Sequence, residues 1–102
     1  YIPVTNKKQT TDWFVRHLHL AVNTRGNLLL ESGHELYLLE CLTHAPQNMP
    51  VLTFAVSNIH DLWSQLISDG VVAGPIETNE WFGKHFVFYD PDGNQYHAVE
   101  NQ

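Results

Sequence analysis

A short motif that occurs twice, half a chain apart, is the feature that most restricts the fold of this sequence. Val4-Thr5-Asn6 precedes one helical pattern, and Val56-Ser57-Asn58 precedes a second, 52 residues further on in a chain of 102. In each half, the strand and turn signals that follow the helical pattern indicate three more strands. The matching order predicts a duplicated βαβββ unit and an α+β fold.

The residues after each motif have the spacing of an amphipathic helix. The first helix is predicted over Lys7–Leu18, with Thr5 or Asn6 as its cap, and the second begins after Asn58. Gly70 stands where a helix-terminating glycine belongs. With one helix in each half, each sheet has only one covered face. The uncovered faces are expected to curve toward each other around a cavity.

The last third of the chain contains the clearest hairpin. Two β-rich runs, Lys84–Tyr89 and Gln95–Val99, flank Asp90-Pro91-Asp92-Gly93-Asn94. The proline fixes φ at the first central turn position, and Gly93 can adopt the left-handed conformation that closes the turn. Strand alternation then places His97 on one face, together with the residues two positions before and after it.

A second candidate side chain lies near the end of the first half. Within the predicted strand Glu35–Leu42, alternation places Leu36, Leu38 and Glu40 on one face and Cys41 on the other. Glu40 either lines the cavity or is an acid at a strand end that reaches water, and its position favours the cavity. Cys41 is then expected to point toward the helix as a buried thiol.

The remaining histidines show no joint spacing typical of a metal site. They are His17, His19, His34, His44, His60 and His85. Ordinary packing or surface roles are expected for them.

Composition and charge exclude several function classes. Eleven acidic residues against five basic ones give a net charge of −6, which disfavours nucleic acid because that partner requires a basic footprint. No apolar run approaches the ~20 residues of a membrane span, and no signal-peptide pattern is present. The single cysteine excludes an internal disulfide and fits a reducing compartment. A cytoplasmic protein without a membrane or nucleic-acid partner is expected.

A paired βαβββ arrangement that ends in Asp-Pro-Asp-Gly-Asn resembles the vicinal oxygen chelate superfamily. This superfamily includes glyoxalase I, bleomycin resistance proteins, fosfomycin-modifying enzymes and extradiol dioxygenases. The likeness is carried by the two repeated motifs and by two further segments, Thr11-Asp12-Trp13-Phe14 and Trp81-Phe82-Gly83. It covers essentially the whole chain. It implies one glyoxalase-like domain over residues 1–102, in which module 1 (about 1–45) and module 2 (about 50–102) form a curved mixed sheet around a cavity.

The resemblance also implies positions for a metal site. Metal ligands in the superfamily come from the first and last strand of each half, which places one upstream of Tyr1, one at Glu40, one at Val51 and one at His97. Val51 cannot ligate a metal, because its side chain has no donor atom. Glu40 and His97 therefore need the upstream residue to hold a divalent metal such as Fe, Mn, Zn or Ni. If they face each other without a metal, they form an acid/base pair.

Two functions remain open on this basis. The first is a metal-dependent lyase, isomerase or transferase that acts on a small oxygenated substrate, with Glu40 and His97 as catalytic groups. The second is a metal-free protein that binds or sequesters a small molecule, in the manner of bleomycin resistance proteins. The residues expected to contact the ligand are Leu38, Val51, Thr53, Trp81, Gln95 and Val99. The resemblance also implies a homodimer, because the family usually completes its uncovered sheets across two chains.

Overall fold

The computed structural model describes residues 2–30, 33–40, 50–81 and 83–100, and of Val51 it describes only the backbone. The chain divides into two compact units, unit 1 (Tyr1–Ala45) and unit 2 (Pro46–Gln102). Within the described ranges, neither helix is long and apolar enough to cross a membrane.

Unit 1 begins with strand β1 and helix α1, and short strands follow. The elements are β1 (Ile2–Val4), α1 (Lys7–Leu18), β2 (Ala21–Val22), β3 (Leu28–Leu29), β4 (Glu35–Leu36) and β5 (Leu38–Glu40). Strands β2, β3 and β4 pair in antiparallel order, whereas β5 pairs in parallel with β1. The strand predicted over residues 35–42 is divided at Tyr37, and its last two residues lie outside the described part of the chain.

Unit 2 also begins with a strand and a helix, and three strands follow where unit 1 has four. Its elements are β6 (Pro50–Val56), α2 (Ile59–Ser68), β7 (Glu77–Asn79), β8 (Gly83–Tyr89) and β9 (Gln95–Glu100). The strand order is β6-β9-β8-β7, and only β6 and β9 run parallel. The sequence predicts three strands after α2, at Val71–Ala73, Lys84–Tyr89 and Gln95–Val99, and the first of them is present as a single bridge between Ala73 and Phe88. Strand β7 has no counterpart in the sequence prediction, because Gly74-Pro75 interrupts the apolar pattern before it.

Both helices begin at the asparagine of the repeated motif. The Asn6 side-chain oxygen accepts a hydrogen bond from the Gln9 N–H at 3.0 Å, and that of Asn58 accepts one from the Asp61 N–H at 3.2 Å. Each bond satisfies an N–H group that the first helical turn leaves without an intrahelical partner. Gly70 follows the C-terminal cap of helix α2, Asp69, and its φ of 82° is the left-handed conformation predicted there.

A glutamate from the last strand of each unit forms a second cap on the same helix. The Glu40 carboxylate accepts a hydrogen bond from the Lys7 N–H at 3.0 Å, and the Glu100 carboxylate accepts one from the Ile59 N–H at 3.1 Å. Lys7 and Ile59 are the first residues of α1 and α2. The negative charge of each carboxylate complements the positive end of the helix dipole. The two units therefore share this tertiary contact as well as their initial strand and helix.

The turn between β8 and β9 is closed by the Asp90 carboxylate. It accepts hydrogen bonds from the backbone N–H groups of Asp92 and Asn94, from the Asn94 side-chain amide at 3.0 Å and from the Tyr96 hydroxyl at 2.6 Å. Asp90 is only 6% exposed, so these donors replace the water that the carboxylate has lost. Burial, together with the charge of Asp90, raises the pKa of Tyr96 above its usual range.

We expect Tyr96→Phe to lower the free energy of unfolding at pH 7 by about 1.5–3 kcal/mol, because a buried carboxylate loses a donor. Urea denaturation measures this change. Tyr37→Phe is the matched control at a tyrosine that is 51% exposed, and it should change stability by no more than about 0.5 kcal/mol. Equal costs for the two variants would contradict the role assigned to the Tyr96 hydroxyl.

The raised pKa of Tyr96 also predicts a loss of stability in alkali. The folded state keeps this phenol neutral. The contribution of Tyr96 to the free energy of unfolding is therefore complete below the pKa of an unfolded tyrosine, about 10, and is lost as the pH rises above that value. Unfolding curves collected on both sides of this pH should show the decline in the wild type and a weaker decline in Tyr96→Phe. A decline of the same size in both proteins would exclude Tyr96 as its cause.

Candidate functional site

The sheet of unit 2 has one face toward α2 and one face opposite it. On β8 and β9, the buried residues Phe86, Phe88, Tyr96 and Ala98 alternate with half-buried ones. Glu100 shares the side of Tyr96 and Ala98 and caps α2, which identifies that side as the helix face. We call the opposite side the histidine face. By strand pairing and alternation, its described members are Thr53, Ala55, Glu77, Asn79, Gly83, His85, Val87, Tyr89, Gln95, His97 and Val99.

Two histidines are joined directly on the histidine face. His97 Nε2 and His85 Nδ1 lie 2.9 Å apart in a hydrogen bond, and the two rings are nearly perpendicular at 89°. One of these nitrogens must donate and the other must accept, so the two rings share one proton at this contact. Burial lowers the pKa of His97, and the neighbouring His85 lowers it further. The uncharged form of His97 is therefore favoured at neutral pH.

Three of the predicted ligand-contacting residues lie beside this pair. Thr53 on β6 is exposed and lies directly opposite His97, while Gln95 and Val99 are half-buried on the same strand as His97. The side chain of Val51 lies outside the described part of the structure. Trp81 is 83% exposed in the turn between β7 and β8, so its contact with a ligand remains a prediction.

Glu40 lies on the side of the sheet opposite to the one predicted for it. Leu38 and Glu40 share a face, as alternation predicts, but Leu38 is 3% exposed within the core of unit 1 and the Glu40 carboxylate binds the start of α1. This is the helix side of the unit 1 sheet and not the side opposite the helix. The expectation failed because strand alternation defines two faces without specifying which of them the helix covers. The proposed metal-binding and catalytic roles of Glu40 remain predictions.

His85 is the residue that the sequence analysis missed. The predicted hairpin contains enough information to find it, because a turn over residues 90–94 pairs Tyr89 with Gln95 and therefore Val87 with His97. His85 then lies diagonally across from His97 on the same face, within reach of a ring. A search for regular metal-ligand spacing along the chain cannot detect such a cross-strand pair.

The described donors do not fit a complete metal centre. Within residues 2–30, 33–40, 50–81 and 83–100, no three His, Cys, Asp or Glu side chains come together in a suitable arrangement. A protein metal site generally uses three or more such ligands. His85 and His97 supply two nitrogens, but their hydrogen bond directs the N–H of one ring at the lone pair of the other. A metal would require both lone pairs to converge on it.

Comparison with protein families agrees with this fold. Residues 2–97 match the family model described as the Glyoxalase/Bleomycin resistance protein/Dioxygenase superfamily. The chain belongs to this superfamily. The resemblance seen in the motifs is thereby confirmed, and members of the superfamily often use divalent metals.

Solved structures show the same fold at low sequence identity. The fosfomycin resistance protein FosX from Listeria monocytogenes has a TM-score of 0.82 and 14% identity, covering 99% of this chain and 88% of that chain. TnmS3, an antibiotic binding protein from Streptomyces sp. CB03234, has a TM-score of 0.81 and 19% identity, covering 99% and 91%. A superfamily member from Sphaerobacter thermophilus has a TM-score of 0.76 and 22% identity, covering 98% and 92%.

These identities establish the fold and leave ligand and reaction open. The predicted α+β glyoxalase-like class is confirmed. A comparison with curated protein sequences finds no match.

We expect Glu40→Ala and Glu100→Ala each to lower the free energy of unfolding by about 0.5–2 kcal/mol, because each removes a cap from a helix N-terminus. Glutamine at either position keeps an acceptor oxygen and should recover part of the loss. Urea denaturation measures both effects, with Glu80→Ala as the control at an exposed glutamate. If Glu40→Ala costs no more than this control, the Glu40 carboxylate does not act as a cap.

Proposed function

We propose that the protein binds or sequesters a small molecule without using a metal, as bleomycin resistance proteins do. The observation that carries the proposal is that the three candidate metal-ligand positions within the sequence have another role or no donor atom. Glu40 caps α1, His97 is hydrogen-bonded to His85, and Val51 has no ligating atom. These contacts favour binding over metal-assisted chemistry.

The composition of the histidine face supports a ligand site. Val87, Val99 and Ala55 offer apolar surface, and Thr53 and Gln95 add polar groups next to the two histidines. Small-molecule sites are mostly apolar, with a few polar groups that fix the orientation of the ligand. The apolar side chains would contact the body of the ligand, while the histidines would select one of its polar groups.

The structural neighbours indicate which ligands to test first. TnmS3 is described as an antibiotic binding protein and FosX as a fosfomycin resistance protein. Antibiotics are therefore the first class that we would screen with this chain.

A metal-dependent lyase, isomerase or transferase acting on a small oxygenated substrate is the second candidate. One observation favours it: two imidazole nitrogens lie 2.9 Å apart in a superfamily whose members often use divalent metals. Fe, Mn, Zn or Ni would be the candidate ions, and Glu40 or a residue upstream of Tyr1 would have to add a ligand. Under this alternative, His97 and Glu40 would be the catalytic groups.

We propose a homodimer, because superfamily members usually complete their uncovered sheets across two chains. The proposed cytoplasmic location rests on the single cysteine, which fits a reducing compartment. Light scattering of the purified protein tests the assembly, and a monomer mass would contradict it.

We expect the purified protein to contain less than stoichiometric Fe, Mn, Zn or Ni by elemental analysis. An antibiotic panel, screened by thermal shift and native mass spectrometry, should yield a ligand whose binding is unchanged by EDTA. Stoichiometric metal, with binding that is lost on chelation and restored by that metal, would contradict the proposal and favour the enzyme.

The histidine face can be tested with the same ligand. His97→Asn should weaken binding by about tenfold, the cost of one hydrogen bond to a polar ligand group. Glu40→Gln should leave the affinity within about twofold, because it preserves the cap on α1. A larger loss from Glu40→Gln than from His97→Asn would assign the site to Glu40 instead.

A further inference from the structure

We propose that the outer edge of the histidine face, where residues 72–74 and β7 pair with β8, binds a small molecule that has an aromatic ring and a protonated amine. The ring lies on Gly74, between Val72 and Val87. The amine binds the Glu77 carboxylate. The inference rests on the proposed binding function and adds the chemical class of the ligand and the residues that select it.

The histidine face extends past its strands to Gly74, which has no side chain there. The Gly74 N–H donates a hydrogen bond to the Val87 carbonyl at 2.8 Å, next to the antiparallel bridge between Ala73 and Phe88. Phe88 lies on the helix face, so Gly74 and Val87, one position along each segment, share the opposite face. Helix α2 also fixes this backbone, because the Trp63 indole N–H donates to the Gly74 carbonyl at 2.9 Å.

The missing side chain of Gly74 leaves a surface on which a flat group can lie. A Cβ atom at this position would be 3.2 Å from Val87 Cγ2, closer than carbon atoms normally pack. The φ of Gly74 is not positive, so the backbone conformation does not itself require glycine. A glycine within a sheet often marks a place where a ligand approaches the backbone closely. The space above Gly74 is therefore the property that the residue provides.

Val72 forms one wall of this surface, and Val87 forms the other. The Tyr89 N–H donates a hydrogen bond to the Val72 carbonyl at 3.0 Å, and alternation places Val72 on the same face as Gly74. The Val72 side chain is 68% exposed. Covering it with an aromatic ring removes apolar surface from water, which favours binding. We call Val72, Gly74 and Val87 the ring subsite.

Glu77 provides a charged group near the ring subsite. It lies opposite His85, whereas Gly74 lies beside Val87. His85 and Val87 are two positions apart on β8, which is about 7 Å along a strand. The Glu77 side chain is exposed, so its carboxylate is accessible to a ligand. A chain of two carbon atoms between ring and amine can connect the two positions.

The distribution of charge favours a cation at this edge. Unit 2 contains seven acidic residues and one basic residue, whereas the four acidic and four basic residues of unit 1 cancel, so the net charge of −6 belongs to unit 2. Its basic residue, Lys84, lies on the helix face, with its amine 3.4 Å from a His60 nitrogen. The described members of the histidine face therefore include no lysine or arginine that would repel a cation near Glu77.

An organic cation suits this edge better than a metal ion. A metal site generally needs three or more ligands, and no three His, Cys, Asp or Glu side chains converge within the described ranges. An ammonium group can form a charged hydrogen bond with a single carboxylate. The adjacent ring subsite then binds the apolar part of the same molecule.

Phenethylamine, 2-phenylethanol and 3-phenylpropanoate are matched probes, because they share a ring and a two-carbon chain and differ in charge. NMR titration of the full chain at about pH 7 should show phenethylamine binding about fivefold more tightly than phenylethanol, the effect of one exposed ion pair. Phenylpropanoate should bind most weakly. Phenethylamine should shift the resonances of Val72, Gly74 and Glu77.

Variants separate the charge from the ring contact. Glu77→Gln should remove the preference for phenethylamine over phenylethanol and leave the affinity for phenylethanol unchanged. Glu80→Gln removes the same charge from the neighbouring turn and should keep the preference. Gly74→Ala should weaken the binding of both probes by about fivefold and also keep the preference, because the added methyl group occupies the ring subsite.

Val72→Ala tests the ring subsite without disturbing the fold. Gly74→Ala has to displace the Val87 side chain, so thermal unfolding is measured to establish that this variant is folded. Truncation of the exposed Val72 side chain should leave stability nearly unchanged. It should weaken the binding of both probes by about threefold, because the ring loses apolar contact.

The inference fails if phenethylamine does not bind or binds no more tightly than phenylethanol. It also fails if Glu80→Gln removes the preference as completely as Glu77→Gln, since the attraction is then the net charge of unit 2, or if Val72→Ala leaves both affinities unchanged. An antibiotic that binds the histidine face and is unaffected by Glu77→Gln and Val72→Ala would overturn the inference and leave the proposed function intact. An antibiotic panel without any ligand would contradict the proposed function itself.

Discussion

Both units depend on one contact, the hydrogen bond that a strand glutamate accepts from the first N–H of a helix. It occurs twice, at Glu40 with α1 and at Glu100 with α2. In each unit it joins the last described strand to the start of the helix. Because the helix start is fixed to one side of the sheet, the side of every other strand residue follows by alternation. This is how His97 is assigned to the face opposite α2, and how Glu40 is assigned to the helix side.

The elements that depend on local chemistry were predictable from the sequence. Helix α1 has the predicted bounds, α2 begins after Asn58 and stops just before the glycine at position 70, and the closing hairpin has its predicted turn. In each case the determining residues are neighbours in the chain: a side chain that caps a nearby N–H, or a glycine that accepts a positive φ. Family membership was also predictable, because the motifs reflect the same local chemistry in both halves.

The site was less predictable because its contacts join residues that are distant in sequence. Glu40 binds a helix start 33 positions earlier, and His85 binds a ring 12 positions later. Position along a strand placed Glu40 among the candidate ligands, whereas its observed partner makes it a helix cap. The pairing of His85 with His97 required the hairpin register to be applied across both strands. With Val51 unable to ligate, these two contacts shift the balance from metal-assisted catalysis toward ligand binding.

We infer that His97 is engaged by His85 rather than by a metal. The most direct test is NMR of the ¹⁵N-labelled, as-purified protein, in which scalar coupling across an N–H···N hydrogen bond connects the two nitrogens. We expect coupling between His97 Nε2 and His85 Nδ1 that persists after EDTA treatment. Absence of this coupling, with both nitrogens at the shifts of metal-bound imidazole until EDTA is added, would contradict it.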